Sequence, residues 1–181
     1  ADWNSLLAFV FGGHSGFFGR PLALFSFLIN DNAFPGDVGS YRLTNLWIHC
    51  LVGISIFFFI DKLLHAAEAT SGSLQWLPVI IASWWLLLPL NVSTTFYIIQ
   101  RMTQLSSLFV LLGLIVYLKG RITLLSRPVL GWVLMVFGLV GFGVLAVLSK
   151  ENGVLIFAFA LVCEYYICYT TGKESPKYLK L

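Results

Sequence analysis

Long apolar runs alternate with short polar stretches along most of the chain. From Tyr41 onward five apolar segments follow one another, at about residues 43–60, 76–92, 104–118, 129–148 and 153–170. Each approaches the ~20 residues that a helix needs to cross a hydrocarbon core of ~30 Å. Because backbone amides cannot remain unpaired in lipid, these segments are predicted to be helices. The predicted fold class is all-α: a polytopic integral membrane helical bundle that occupies residues 41–172 and has about five transmembrane helices.

The first 40 residues have a different pattern, because glycines and prolines interrupt every apolar run. None of these runs is long enough to span a bilayer. Trp3, Leu6, Leu7 and Val10 nevertheless recur at the spacing of one helical face, and a second such face follows Pro21, a residue suited to the first turn of a helix. Residues 1–40 are therefore predicted to form an extracytoplasmic loop carrying two amphipathic helices that lie in the membrane interface.

The composition excludes an ordinary soluble domain. Of the 181 residues, 59% are hydrophobic and only 10% are charged, and the mean hydropathy is +0.89. The net charge of +3 is too small to indicate a nucleic-acid partner. Three cysteines, all in apolar runs, give no disulfide framework. Lipid is the predicted solvent, and membrane lipid is a predicted partner.

The distribution of basic residues predicts the orientation of the bundle. Seven basic residues fall on one side of the predicted spans: Lys62, Lys119, Arg121, Arg127, Lys173, Lys177 and Lys180. Four fall on the other side: Arg20, Arg42, Arg101 and Lys150. By the positive-inside rule the first group is cytoplasmic. Residues 1–40, the 93–103 connection and the 149–152 turn should then face outward, and residues 173–181 form a cytoplasmic tail.

Polar residues inside the first span form one candidate site. Arg42, Asn45, His49 and Gly53 recur at spacings of three and four, which places them on one helical face. Polar groups on a lipid-facing surface would cost several kcal/mol, so this face is predicted to point into the bundle. Two interpretations remain open at this stage. The face either makes hydrogen bonds and close contacts between helices or lines a substrate cavity.

Three further polar stretches are predicted to face outward. Gln100 and Arg101 lie between two short spans, and a guanidinium there can bind a phosphate group or extend to ordinary lipid headgroups. Lys150 and Glu151 either neutralise each other or line the same outer cavity. A glycine-rich stretch carries two more polar residues, His14 and Arg20, and has the character of a binding loop.

Several motifs of soluble enzymes are missing from the sequence. It contains no Walker loop, no metal-ligand cluster at a usable spacing, no Asp-x-Asp pair for a nucleotide sugar, and no Ser, His and Asp set. The sequence therefore predicts neither a metal ion nor a cofactor.

Four segments of this sequence resemble a known family. They are residues 19–27 (Gly-Arg-Pro-Leu-Ala-Leu-Phe-Ser-Phe), 41–49 (Tyr-Arg-Leu-Thr-Asn-Leu-Trp-Ile-His), 100–102 (Gln-Arg-Met) and 149–152 (Ser-Lys-Glu-Asn). In this order they resemble the membrane part of the transmembrane and tetratricopeptide-repeat protein O-mannosyltransferases and their bacterial relatives. That family is similar to polytopic glycosyltransferases of the C type. The resemblance extends from the outer loop to Glu164.

This resemblance implies an activity and roles for the polar residues. The expected reaction transfers a sugar from a polyprenyl-phosphate donor to an acceptor hydroxyl of a protein or glycan. It would take place on the periplasmic side of a bacterial inner membrane. Arg101 is expected to bind the donor phosphate, with Lys150 or Arg20 as a second cation. The residues expected to line the cavity are Arg42, Asn45, His49, Gln100, Glu151 and His14.

The resemblance also implies a catalytic base. A carboxylate of the first outer loop should accept the proton of the acceptor hydroxyl, and the candidates in this chain are Asp2, Asp31 and Asp37, with Asp2 the one selected. Relatives carry a further span and an acidic pair ahead of the position equivalent to Asp2. The chain is therefore expected to be a fragment of a longer enzyme.

Two alternatives to an enzyme follow from the same residues. A transporter, flippase or lipid-carrier-binding protein would use the outer cations to hold a polyprenyl phosphate without chemistry. A structural subunit of a membrane complex would instead use the face of Arg42, Asn45 and His49 to contact a partner helix.

Overall fold

The computed structural model describes residues 3–12, 19–28, 30, 38–69 and 72–171, and all regular structure within these ranges is helical. The predicted tail at 173–181 lies outside them. The α-helices within these ranges are α1 (Trp3–Phe11), α2 (Pro21–Phe27), α3 (Val38–Ala66), α4 (Leu77–Leu87), α5 (Leu90–Phe96), α6 (Arg101–Thr123), α7 (Pro128–Val136), α8 (Phe142–Ser149) and α9 (Ile156–Thr171).

Four helical stretches in the described ranges are long and apolar enough to cross a membrane. They are Val38–Ala66, Ile98–Thr123, Pro128–Ser149 and Glu151–Thr171. The third joins α7 to α8 through a π-helical turn, Phe137–Gly141. Short 3₁₀ turns precede α6 and α9, at Ile98–Gln100 and Glu151–Leu155. The chain is thus an integral membrane protein, and the predicted all-α bundle is confirmed.

The remaining predicted span, 76–92, is broken in the structure. After a 3₁₀ turn at Gly72–Trp76, α4 ends at Leu87, and Leu88 is extended with φ −62° and ψ 123°. A residue before proline is disfavoured in the helical region, which explains the break ahead of Pro89. The chain resumes as α5, and the two axes differ by 64°. If this bent pair counts as one span, the bundle has five.

Helix α6 occupies the centre of the bundle. It packs against α3 on one side and against α7, α8 and α9 on others. The largest core cluster contains Val110, Leu114, Leu118, Ile156 and Cys163, which join α6 to α9. At the π turn a side chain on Gly113 would lie 2.6 Å from the carbonyl oxygen of Gly138, so the two backbones touch. A small residue at this crossing is therefore required.

The two N-terminal helices, α1 and α2, pack at one end of the bundle. Gly19 and Arg20 both have positive φ (69° and 53°), a turn that directs the chain into α2. Helix α2 contacts α8, and the apolar sides of α1 and α2 enclose a cavity of about 330 Å³ together with Leu148. Helix α2 is thereby placed beside the 149–152 turn, as expected if both face the same side of the membrane.

Candidate functional site

Arg101 is at the centre of the polar groups at this end of the bundle. Its side chain is fully buried, and its Nε donates to Asn45 Oδ1 at 2.7 Å. The two terminal nitrogens donate to the carbonyl oxygens of Ser26 and Tyr41, at 2.9 and 3.1 Å. The guanidinium carbon also lies 4.7 Å from the centre of the Phe27 ring. Arg101 therefore links α2, α3 and α6, and each of its nitrogens has a protein acceptor.

Asn45 and His49 lie against backbone carbonyl oxygens of the broken span, α4 and α5. The Asn45 amide, on a fully buried side chain, donates to the carbonyl oxygen of Thr95 at 3.2 Å and approaches that of Tyr97 at 3.5 Å. His49 Nε2 lies 3.2 Å from the carbonyl oxygen of Leu86, to which it donates when Nε2 is protonated. Breaks in membrane helices are tolerated where neighbouring side chains pair the released carbonyls. Asn45 and His49 therefore make contacts between helices.

Arg20 and Glu151 form an ion pair that the sequence did not predict. Arg20 Nη2 lies 3.0 Å from Glu151 Oε2, and Arg20 Nε lies 3.3 Å from Oε1, a forked arrangement. The second terminal nitrogen of Arg20 contacts the sulfur of Met102 at 2.9 Å. Both side chains remain partly exposed. The pair joins the outer loop to the turn between α8 and α9.

Lys150 is consequently not neutralised by its neighbour in sequence. Its Nζ donates to Thr103 Oγ1 at 2.7 Å, and that hydroxyl donates in turn to Gln100 Oε1 at 2.8 Å. In the described part of the chain no carboxylate approaches the Lys150 ammonium within ion-pair distance. The three residues form a hydrogen-bonded row, which we call the Gln100–Thr103–Lys150 row.

Lys150 and Thr103 lie at one end of a large groove between α3, α6 and α9. Its volume is about 650 Å³. The polar end carries Lys150, Asn152, Thr103, Ser106 and Ser107. The rest of the groove is lined by apolar and aromatic side chains and one thiol: Phe59, Leu63, Val110, Leu111, Leu114, Leu155, Phe159, Val162, Cys163 and Tyr166. We call this cavity the carrier groove.

The sequence reasoning did not assign a role to Thr103, Ser106 and Ser107. Their spacing of three and four residues on an otherwise apolar helix is the signal that could have identified them. The structure places the three side chains along the groove below Lys150.

Arg42 and Gln100 line a second, smaller cavity. It lies between the start of α3 and α5, and its volume is about 480 Å³. The row described above runs from Gln100, at this second cavity, to Lys150, at the carrier groove. The two cavities are therefore neighbours at the same end of the bundle.

The opposite end of the bundle holds a separate polar group. Glu164 on α9 accepts from Arg121 Nε at 2.9 Å and from the hydroxyl of Tyr117 at 2.8 Å. Both donors are on α6, so this group closes the far end of the gap between α6 and α9. It contributes no group to the outer site.

Four predicted residues cannot be placed. His14, Asp2, Asp31 and Asp37 lie outside the described residues. Within the described ranges no three His, Cys, Asp or Glu side chains come together as a metal site.

Comparisons with known proteins add no relative. No family model matches the chain, and neither a curated protein nor a solved structure matches it significantly.

Proposed function

We propose that this chain belongs to a membrane glycosyltransferase that uses a polyprenyl-phosphate-linked sugar as its donor. The carrier groove holds the first part of the polyprenyl chain, and the Lys150 ammonium binds the phosphate. The single observation that carries the proposal is the polarity of this groove, with a cation at one end and an apolar wall below it.

The dimensions of the groove suit such an amphiphile. From Thr103 to Leu114 it follows α6 over 11 residue steps, or roughly 17 Å at ~1.5 Å per step. This length accommodates several isoprene units, and the rest of a long carrier would extend into the bilayer. Apolar walls below a single cationic end favour a lipid phosphate over a small soluble anion.

The charge at the polar end also supports phosphate binding. An ammonium group acts as a point charge for phosphate and has three donors. The hydrogen bond to Thr103 uses one donor of Lys150 and fixes the position of the nitrogen. Because Glu151 is paired with Arg20, it does not neutralise Lys150.

Sugar transfer would then follow from the resemblance to the C-type enzymes. The acceptor hydroxyl attacks the anomeric carbon, a new carbon–oxygen bond forms, and the bond from that carbon to the phosphate oxygen breaks. Lys150 stabilises the negative charge on the leaving phosphate. A carboxylate takes the hydroxyl proton, and Asp2 remains the candidate from the sequence. Donor and acceptor meet on the periplasmic side of a bacterial inner membrane.

The roles proposed for the other cations change with this geometry. Each nitrogen of Arg101 donates to a protein acceptor, so Arg101 positions α2 and α3 instead of binding the phosphate. Arg20 holds Glu151 away from Lys150. Lys150 is therefore the residue proposed to bind the donor phosphate.

The test compares Lys150→Gln with Lys119→Gln, both expressed from the complete gene. Lys119 is an exposed lysine near the opposite end of α6, so the control removes the same charge away from the groove. We expect Lys150→Gln to bind polyprenyl phosphate about tenfold more weakly, corresponding to ~1.4 kcal/mol, and to lose transfer from a lipid-linked sugar. Transfer equal to that of the parent would remove Lys150 from the mechanism.

A second candidate is a carrier-binding protein or flippase without transferase chemistry. One observation favours it: Glu151, the carboxylate next to Lys150 in sequence, is already paired with Arg20. The same assay separates the two functions. Carrier binding that depends on Lys150, without sugar transfer by the complete gene product to protein or glycan acceptors, would support the binding protein.

A further inference from the structure

The smaller cavity, which Arg42 and Gln100 line, differs from the carrier groove in its polar groups. It is lined by Arg42, Val92, Ser93, Phe96, Tyr97 and Gln100. The sides come from the first turns of α3, from α5 and from the turn before α6. Among the described residues no carboxylate lines it. The charged group that these residues contribute to the cavity wall is the Arg42 guanidinium.

Arg42 is available to a ligand in a way that Arg101 is not. Its side chain is exposed, and its guanidinium carbon lies 5.9 Å from the centre of the Phe96 ring. Within the described ranges no protein acceptor is hydrogen-bonded to it, and no carboxylate is paired with it. The aromatic face restrains the guanidinium without using its donors.

Gln100 contributes a second donor. Its Oε1 accepts from Thr103, so the Nε2 amide is the part of this side chain left to bind a ligand. A fork of guanidinium and amide donors suits the oxygens of a phosphate. Val92 and Phe96, both more than half exposed, give the same cavity apolar surface that a free phosphate would not use.

We infer that this cavity binds the phosphate of an anionic phospholipid from the leaflet at this end of the bundle. Arg42 and Gln100 bind the phosphate oxygens, and the acyl chains lie over Val92 and Phe96. A zwitterionic headgroup binds less well, because its ammonium would lie near the Arg42 guanidinium. This site does not depend on the proposed transferase activity, because Lys150 and the carrier groove lie beyond the other end of the Gln100–Thr103–Lys150 row.

The experiment measures lipid binding by native mass spectrometry of the complete gene product. Phosphatidylglycerol and phosphatidylcholine are titrated onto the delipidated protein, onto Arg42→Gln, and onto Arg127→Gln as the control. Arg127 is an exposed arginine outside this cavity, just before α7. We expect Arg42→Gln to lose about tenfold in affinity for phosphatidylglycerol and to bind phosphatidylcholine as the parent does. Arg127→Gln should leave the occupancy of this site unchanged.

Three outcomes would overturn the inference. They are equal affinity of the parent for the two lipids, unchanged phosphatidylglycerol binding in Arg42→Gln, and displacement of the lipid by millimolar inorganic phosphate, which would indicate a free-phosphate site. Lys150→Gln serves to separate this inference from the proposed function. It should keep the phosphatidylglycerol site even if it loses the polyprenyl phosphate.

Discussion

Arg101 and Lys150 lie at the same end of the bundle but have opposite environments. Arg101 is fully buried, and its nitrogens donate to Asn45 and to two backbone carbonyls. Lys150 is partly exposed at the mouth of the carrier groove and donates to one hydroxyl. The sequence places both beside an apolar span, and the resemblance ranks Arg101 ahead of Lys150 as the phosphate ligand. Burial and the supply of acceptors separate them.

Arg101 and Lys150 show that a cationic residue in a membrane protein can have either of two roles. Where protein acceptors surround it, the charge links helices, and its removal leaves buried polar atoms unpaired. Where a cavity surrounds it, the charge can bind an external anion. Mutation of the first kind should change stability, and mutation of the second kind should change ligand affinity.

The largest expected effect is the loss of stability in Arg101→Met. The substitution leaves Asn45 Oδ1 and the carbonyl oxygens of Ser26 and Tyr41 without their donor, at ~1–3 kcal/mol for each buried group. Removal of the desolvated charge offsets part of this, so we expect a net loss of about 3 kcal/mol. Reversible unfolding in mixed micelles measures it.

The matched variant for that measurement is Lys150→Met. It removes a cation that holds no buried acceptor, so the free energy of unfolding should change by about 0.5 kcal/mol or less. Equal destabilisation by the two variants would contradict the division between them.

A second effect concerns the groove alone. Val162 on α9 lines the carrier groove and is 64% exposed, and Val162→Trp should fill part of the space intended for the polyprenyl chain. We expect the affinity for polyprenyl phosphate to fall about tenfold, or ~1.4 kcal/mol. The control is Val133→Trp, a valine of similar exposure (57%) on α7 that does not line the groove. If Val162→Trp leaves the affinity for polyprenyl phosphate unchanged, the polyprenyl chain does not bind in this groove.

A smaller effect is expected from Thr103→Val, which keeps the shape of the side chain but removes the hydroxyl that fixes Lys150. The ammonium should then sample more positions, and carrier affinity should fall about threefold, or ~0.7 kcal/mol. Thr123→Val is the control, because that hydroxyl donates to the carbonyl of Lys119 in its own helix. An identical response of the two variants would mean that Thr103 has no role in positioning Lys150.

The smallest effect is the coupling between Arg20 and Glu151. The two side chains are 23% and 33% exposed, so solvent screens their attraction. A double-mutant cycle with Arg20→Gln and Glu151→Gln should give a coupling of about 0.5 kcal/mol. A coupling of several kcal/mol would mean that this pair, like Arg101, is a principal link between elements.

The continuous spans could be predicted because each contains an uninterrupted apolar run of nearly the required length. The break at Leu88 was in principle readable from the proline that follows it, but the apolar run across residues 76–92 concealed it. The pairing of Arg20 with Glu151 could not be predicted, since the two residues are 131 positions apart and only packing of α2 on α8 joins them. For the same reason Lys150 could not be distinguished from a neutralised lysine.

The polar face of α3 shows the same limit within one helix. Its spacing predicts that Arg42, Asn45 and His49 share a side, but not what each will meet. His49 meets a carbonyl released at the bend between α4 and α5, and Asn45 meets carbonyls at the far end of α5. Arg42 remains exposed beside Phe96. A single periodic pattern therefore contains two structural residues and one candidate ligand-binding residue.

The broken span also has a consequence for how the protein enters the membrane. Asn91 of α5 pairs with the Trp85 carbonyl inside the broken span. The carbonyls of Leu86 and Thr95 instead meet His49 and Asn45 of α3, which is synthesised earlier. When α4 and α5 leave the ribosome, their partners already lie in the bilayer. The stretch Leu74–Phe96 inserted by itself would expose those carbonyls to lipid at a cost of several kcal/mol each. The order of helices along the gene is thus part of the mechanism by which a bent helix is accepted by the bilayer.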